Sequence, residues 1–285
     1  MLRTRLHITP YERKHRDELL NLSYYSRWTH QHLDWYKIRQ WIDDEAALLF
    51  LAWQGRHLVG YMGLSAALNA SSWIRLLGVG DGVIPAPVIQ ELWQSAAAQC
   101  LQLGISSVMI LLANNWLSAY VRQLGFAWLE DIITLNHIGG KPPAPPLAPV
   151  EVVPARAEDL PRIAQIDHLA FYPPWQMSPG DLWRAFRISA SATIAILADN
   201  IVGYQISTRH QEAGHLARLA VTPAHQGKQI GSALLAELLR EFNHRGIHSV
   251  TVNTQLSNHS SQHLYQHYGF FRNGFDLEVW HKSLP

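Results

Sequence analysis

At 285 residues the chain is long for one domain and comfortable for two. Hydrophobic residues make up 48% of it and charged residues 16%, which suits a globular chain with real cores. The formal net charge of +1 is spread evenly, so no basic stripe marks a nucleic-acid face, and nucleic acid is not an expected partner.

The single cysteine, Cys100, excludes an intramolecular disulfide and suits a reducing compartment. Met1 to His7 has no apolar stretch of the signal-peptide kind, and no apolar run reaches membrane-spanning length. A cytoplasmic location without a membrane partner is therefore expected. Eight of the 11 tryptophans fall between Trp28 and Trp128. Core packing is the plain reading; an aromatic-lined pocket or interface in the first half is the other.

Along the chain, an extended segment at Arg3–Thr9 leads to a helix opened by charged residues around Glu12 to Glu18. Further on, Leu103-Gly104 precedes Ser107-Val108, and Leu124-Gly125-Phe126 follows. Residues 138–149 hold five prolines in eight positions, a stiff spacer that fits neither a helix interior nor a central strand. Beyond it the same order returns. Val150–Ala155 is extended, Glu158–Leu169 is helical, and Arg245-Gly246 precedes Ser249-Val250 before Gly269-Phe270. Glycine to glycine is 21 residues in the first half and 23 in the second, which predicts an internal duplication. The expected division is 1–140, a linker at 141–149, and 150–285.

In the second half, the loop Phe171 to Trp175 is followed by a helix at Pro179–Ile188 and by two strands, Thr193–Leu197 and Ile201–Ser207, joined by a turn at Ala198–Asn200. Leu216–Val221 is a short apolar strand. The polar loop Thr222–Ser232 runs into a helix at Ala233–Phe242, and Ser249–Asn253 is a further strand. A helix at Ser260–Tyr268 and a terminal hairpin, turning at Asn273-Gly274, close the chain.

The loop before the helix carries the chemistry. A helix start offers backbone N–H groups without an internal partner and the positive end of the helix dipole, which together suit a diphosphate. Gly227 and Gly231 let backbone approach; Lys228 adds charge and Ser232 a hydroxyl, with Gln229 and Ile230 between them.

This loop resembles the acetyl-CoA loop of the Gcn5-related N-acetyltransferase superfamily, Gln/Arg-x-x-Gly-x-Gly/Ala. Gln226 matches its first position and Gly231 its last, while Gln229 replaces the central glycine. The superfamily's second signature is matched by Asn258, Ser261, Leu264-Tyr265 and Gly269-Phe270, with Tyr265 lying 39 residues after Gln226. The resemblance covers about Val150 to Leu284. It implies an α/β (α+β) chain of two tandem copies, each a mixed, mostly antiparallel twisted sheet flanked by helices.

It also implies that acetyl-CoA is the co-substrate, that a primary amine is the acceptor, and that no metal takes part. Leu219, Ala220 and Val221 would meet the pantetheine arm, and Gln226 to Ser232, with Asn258 and Ser261, the rest of the coenzyme. Tyr265 resembles the family's general acid; with an ordinary pKa of about 10 a tyrosine is protonated at neutral pH and can donate. A backbone N–H of Leu219 or Ala220 would hold the oxyanion. The base is His215, whose imidazole titrates near neutrality, or a water relay, or is not needed for an amine that arrives neutral. The loop Phe171–Trp175 resembles part of an acceptor site, a plug over the sheet edge being the other reading.

In the first half, registering Gly104 on Gly246 sets Ile84 where the loop's Gln would stand. Pro85 and Pro87 remove donors, and Asp81 would repel phosphate. Val121 stands at the tyrosine position. This half is expected to keep the fold without the chemistry, and to wall the acceptor cleft or carry a homodimer contact. The rival from another class is a non-catalytic acyl-CoA-binding sensor or scaffold.

Overall fold

The computed structural model describes residues 5–44, 47–113, 115–139, 144 and 146–285. Arg3 and Thr4 of the expected first strand, and 140–143 and 145 of the expected spacer, lie outside the described residues. The chain forms two compact units, Met1–Glu130 with Leu277–Pro285, and Asp131–Asp276.

In chain order the first part runs β1 (Leu6–Pro10), α1 (Arg16–Tyr25), β2 (Trp28–Gln31), α2 (Ile38–Trp41), β3 (Leu48–Gln54), β4 (His57–Leu64), β5 (Ser71–Val79), α3 (Pro85–Gln102), β6 (Ser107–Leu112), α4 (Ser118–Gln123) and β7 (Ala127–Ile138). The remainder runs β8 (Glu151–Pro154), α5 (Leu160–Ala170), α6 (Pro179–Ile188), β9 (Ser191–Leu197), β10 (Asn200–His210), β11 (Ala213–Val221), α7 (Ile230–His244), β12 (Ser249–Gln255), α8 (His259–His267), β13 (Phe271–Arg272) and β14 (Leu277–Ser283).

The first unit's sheet has the order β1-β3-β4-β5-β6-β14, and the second's β7-β12-β11-β10-β9-β8. Each is antiparallel except at one place: β5 is parallel to β6, and β11 to β12. Two mixed, mostly antiparallel sheets flanked by helices are what the duplication predicts. The match extends to detail. Cys100 accepts a backbone bond from Ile105, just past the turn that ends α3, as Phe242 does from Ile247 past the end of α7. Ser72 pairs with Val108 as Gly214 pairs with Val250.

Two strands depart from expectation. The terminal hairpin does not form: β13 pairs with β7, and β14 lies antiparallel along β6. The compact units are accordingly drawn differently from the proline-based division. Part of β7, which precedes the spacer, belongs with β12, and β14, the last strand, belongs with β6. The gain for β14 is burial of Val279 and Trp280, with Leu284 buried just past the strand, and fully burying a valine or leucine side chain is worth about 1.5–3 kcal/mol.

Tryptophan fills the first unit's core. Trp73 and Trp93 are buried, Trp41 packs under Tyr61 and Leu76, and Trp28 stands against Trp116 with ring centroids 5.5 Å apart. In the second unit the apolar stripe of α7 (Leu235, Leu238, Leu239 and Phe242) lies with Val250 and Val252 of β12, and on the same core close Tyr265, Tyr268 and Phe270. Gly214 permits this approach: a Cβ there would meet the Phe242 ring at 2.3 Å.

Candidate active site

In both units the parallel pair separates partway along. The last paired residues are Ile74 with Ile110, and Leu216 with Val252. In each case a bulge follows at once on the other edge, where the antiparallel register skips Arg75 in β5 and Ala217 in β11. A bulge bends its strand, so β5 and β11 turn away from their parallel partners and open a gap.

The two gaps differ in what fills them. In the first unit β2 pairs along the freed edge, Gln31 with Leu76 through Trp28 with Val79. In the second unit no strand pairs with that edge of Arg218–Val221 among the described residues. There the gap opens into a cleft of about 570 Å³. Its walls include Leu219, Ala220 and Val221 of β11; His225, Gln226, Gly227, Gln229, Ile230, Gly231 and Ser232; Ser257, Asn258, Ser261 and Leu264; and the aromatic residues Phe171, Tyr172 and Trp175.

Backbone direction decides what β11 offers. Gln226 Nε2 donates to the Val221 carbonyl at 3.1 Å, so that carbonyl faces the loop. Thr222 N–H instead bonds to Val202 on β10. In an antiparallel pair successive residues alternate between facing the partner and facing away. Leu219 shares the direction of Val221, and Ala220 turns its backbone toward Tyr204, its partner on β10. Of the two expected oxyanion donors, Leu219 is the one aimed at the gap.

The loop is built by backbone conformation. Thr222 Oγ1 and His225 Nδ1 stand 2.9 Å apart and hold the first turn, after Pro223. Gly227 then takes φ +75° and Gln229 φ +62°, ψ 13°. Gln229 thus adopts the left-handed shape at the place where the family pattern has glycine, at a strain of about 1 kcal/mol. The first backbone bond into α7 runs from Ala233 N–H to the Gln229 carbonyl at 3.0 Å. The N–H groups of Ile230, Gly231 and Ser232 lie ahead of it, the donors a helix start leaves over. Lys228 is exposed and lies beside the cleft lining rather than in it.

The other expected residues divide by role. Asn258 caps α8, its Oδ1 accepting the Ser261 N–H at 3.2 Å, and both line the cleft. Tyr268 O–H donates to the Ser232 carbonyl at 3.0 Å and fixes α8 against the start of α7. Tyr265 is 5% exposed and packs against Phe270, while its neighbour Leu264 reaches the cleft. Burial pushes the Tyr265 phenol well above its ordinary value, with the positive charge of Arg218 opposing. His215 lies in the paired part of β11, its Nδ1 2.8 Å from Thr251 Oγ1. It is four residues before Leu219, roughly 10–13 Å along the strand, and outside the cleft lining.

Sequence reasoning missed a buried polar cluster beside the aromatic wall. Asp167 on α5 is fully buried; its carboxylate accepts from Met177 N–H at 2.8 Å, Tyr204 O–H at 2.6 Å and Arg218 Nε at 2.7 Å. The signal was there: one acid inside an apolar helix and one arginine inside an apolar strand, since such charges are buried only as partners. Among the described residues no group of His, Cys, Asp and Glu is placed to hold a metal ion, and no helix is long and apolar enough to cross a membrane.

A sheet parted at one parallel pair, with spare amides where the gap meets a helix start, suits a long ligand that carries a phosphate group. The comparisons make it specific. Residues 160–270 match the acetyltransferase (GNAT) family. A [ribosomal protein bS18]-alanine N-acetyltransferase from Haemophilus ducreyi is 29% identical over 113 residues, 40% of this chain and 77% of that enzyme. A tandem GNAT protein from the clavulanic acid biosynthesis pathway matches over 99% of both chains, with 14% identity and a TM-score of 0.66. A GCN5-related N-acetyltransferase from Sphaerobacter thermophilus covers 100% of this chain and 97% of its own, with 15% identity and a TM-score of 0.61. Those two structural likenesses concern the fold. The second unit thus carries a region that matches the GNAT acetyltransferase family and resembles an N-acetyltransferase, which supports an acyltransferase, and the chain as a whole has the tandem GNAT fold, its first copy degenerate.

Proposed function

We propose that the second unit moves an acetyl group from acetyl-CoA to a primary amine by direct attack within a ternary complex. The observation that carries this reading is the unpaired edge of β11 beyond Leu216, running into the spare amides of Ile230–Ser232. The coenzyme's diphosphate lies on those amides and on the loop from Gln226, and its pantetheine arm follows the outward backbone of Leu219 and Val221. Asn258 and Ser261 flank it from α8.

The amine nitrogen attacks the thioester carbonyl carbon, and the carbonyl oxygen takes the negative charge facing the Leu219 N–H. The carbon–sulfur bond then breaks, and Tyr265 gives its proton to the departing thiolate. Its burial supports that role by keeping the phenol protonated. The ammonium proton leaves by a water relay, and His215, which Thr251 holds by one ring nitrogen, would receive it only at the far end of such a relay. The acceptor we favour for a first test is a peptide α-amine, because the Haemophilus relative is an alanine N-acetyltransferase. A cytoplasmic site of action fits such an acceptor.

One observation favours a second reading, a binder of acyl-CoA without turnover: Tyr265 is 5% exposed and outside the cleft lining. Thiol release from acetyl-CoA separates the two. Release that requires an alanine-starting peptide, and falls about a hundredfold in Tyr265→Phe with coenzyme affinity unchanged, supports the enzyme. Tight coenzyme binding with no release for any amine in a panel supports the binder.

A further inference from the structure

The aromatic wall of the cleft belongs to the loop between α5 and α6, and Arg218 of β11 is bonded to it. Arg218 immediately precedes Leu219 on β11. Its Nη2 donates to the Trp175 carbonyl at 2.6 Å, and its guanidinium carbon stands 3.5 Å from the centre of the Phe171 ring. Its partner Asp167 fastens the far end of the loop by accepting Met177 N–H, and Tyr204 O–H completes the carboxylate's donors. Gln176 and His168 brace the loop internally: Gln176 Nε2 donates to the Phe171 and His168 carbonyls, and His168 Nε2 lies 3.1 Å from the Met177 carbonyl. Arg218 thus ties both Phe171 and Trp175 to β11, a double role that a planar, forked cation is suited to fill.

Arg218 directly precedes Leu219, whose outward backbone the proposed reading sets against the thioester, and Phe171, Tyr172 and Trp175 line the same cleft as Leu219. We propose that Asp167 and Arg218 are positioning residues for the acceptor, locking the wall of residues 171–177 against β11 so that an amine is held in line with the thioester. This rests on the acyl-transfer reading for its functional consequence, and on the hydrogen bonds alone for its structural one. An alignment error of the order of an ångström costs up to about a hundredfold in rate.

Arg218→Lys in the full chain is the test. Lysine keeps the positive charge opposite Asp167 but cannot reach Asp167 and the Trp175 carbonyl while stacking on Phe171. Three readouts are expected to part. Amide hydrogen exchange in residues 171–177 rises about tenfold or more while that of α7 is unmoved. Affinity for acetyl-CoA stays within about threefold, and kcat/KM for an alanine-starting peptide falls about tenfold or more. A double variant, Asp167→Leu with Arg218→Met, removes both charges together and guards against a buried unpaired ion unfolding the domain; it should show the same pattern.

Unchanged exchange in the loop in both variants overturns the proposal. So does a loss of coenzyme affinity that matches the loss in kcat/KM. A wild-type chain that binds acetyl-CoA but acetylates no amine in a panel, with a loop that still loosens in Arg218→Lys, sinks the acyl-transfer reading and leaves the structural tie standing.

Discussion

The two units part their sheets at the same register and then do opposite things with the gap. In the first, Trp28–Gln31 closes the edge of Leu76–Val79, and α3 starts directly at Pro85, after a loop of 80–84. In the second, the corresponding edge, Arg218–Val221, is open, and the longer loop 222–229 curls into the start of α7. A fold that exposes strand backbone must pair it with something. One copy uses its own chain; the other leaves the place for a ligand. The two copies differ in backbone pairing as well as in side chains, because β2 occupies the edge of Leu76–Val79.

That comparison can be pressed first through pH. His30 lies on β2 opposite Leu77 and is 1% exposed. Burial pushes its pKa from 6.5 down to about 3, helped by the neighbouring His32 and Arg75. The unfolded chain therefore binds this proton between pH 6.5 and about 3 while the folded one does not, and stability falls as pH drops through that window. The slope is about 1.4 kcal/mol per pH unit, roughly 3 kcal/mol by pH 4. Urea unfolding followed by tryptophan fluorescence should show this loss in the wild type and a shallower one in His30→Leu. Equal slopes would mean that β2 is not packed around a neutral imidazole.

A smaller effect is expected where the copies exchange large for small. Gly214 faces Phe242 in the second unit, and the matching positions in the first hold Ser72 and Cys100. Gly214→Ala drives a Cβ to 2.3 Å from the Phe242 ring and should cost about 2 kcal/mol. Adding Phe242→Leu should recover part of that cost in thermal melts. No recovery would show that the backbone, rather than the ring, sets the limit.

The smallest effect lies in the loop. Gln229→Gly relieves a left-handed glutamine and should stabilise the second unit by ~0.5–1 kcal/mol. Chemical unfolding measures it; a loss of stability would show that the Gln229 side chain holds the loop in shape.

Much of this was legible in the residues. Strand, loop and helix from Leu216 to Phe242, and the capping Asn258 on α8, follow from local pattern and from groups that sit close in sequence. The destination of the last strand was not legible. Residues 277–283 have the apolar alternation of a closing strand, but two equivalent edges, beside β6 and beside β12, accept such a strand, and local pattern does not choose between them. The short strand β2 escaped for a related reason: Trp28–Gln31 has a polar sequence that becomes a strand only because the β5 edge is there to pair with it. The Asp167–Arg218 pair was marked by charges in apolar segments, but pairing them across 51 residues required the fold.

Isothermal titration of the full chain with acetyl-CoA tests the contrast between the gaps most directly. One equivalent should bind per chain, and Gly227→Val, which cannot keep the loop's positive φ without strain, should abolish it while His30→Leu leaves it intact. Two equivalents, or binding indifferent to Gly227→Val, would contradict the assignment of the coenzyme to the open gap of the second unit.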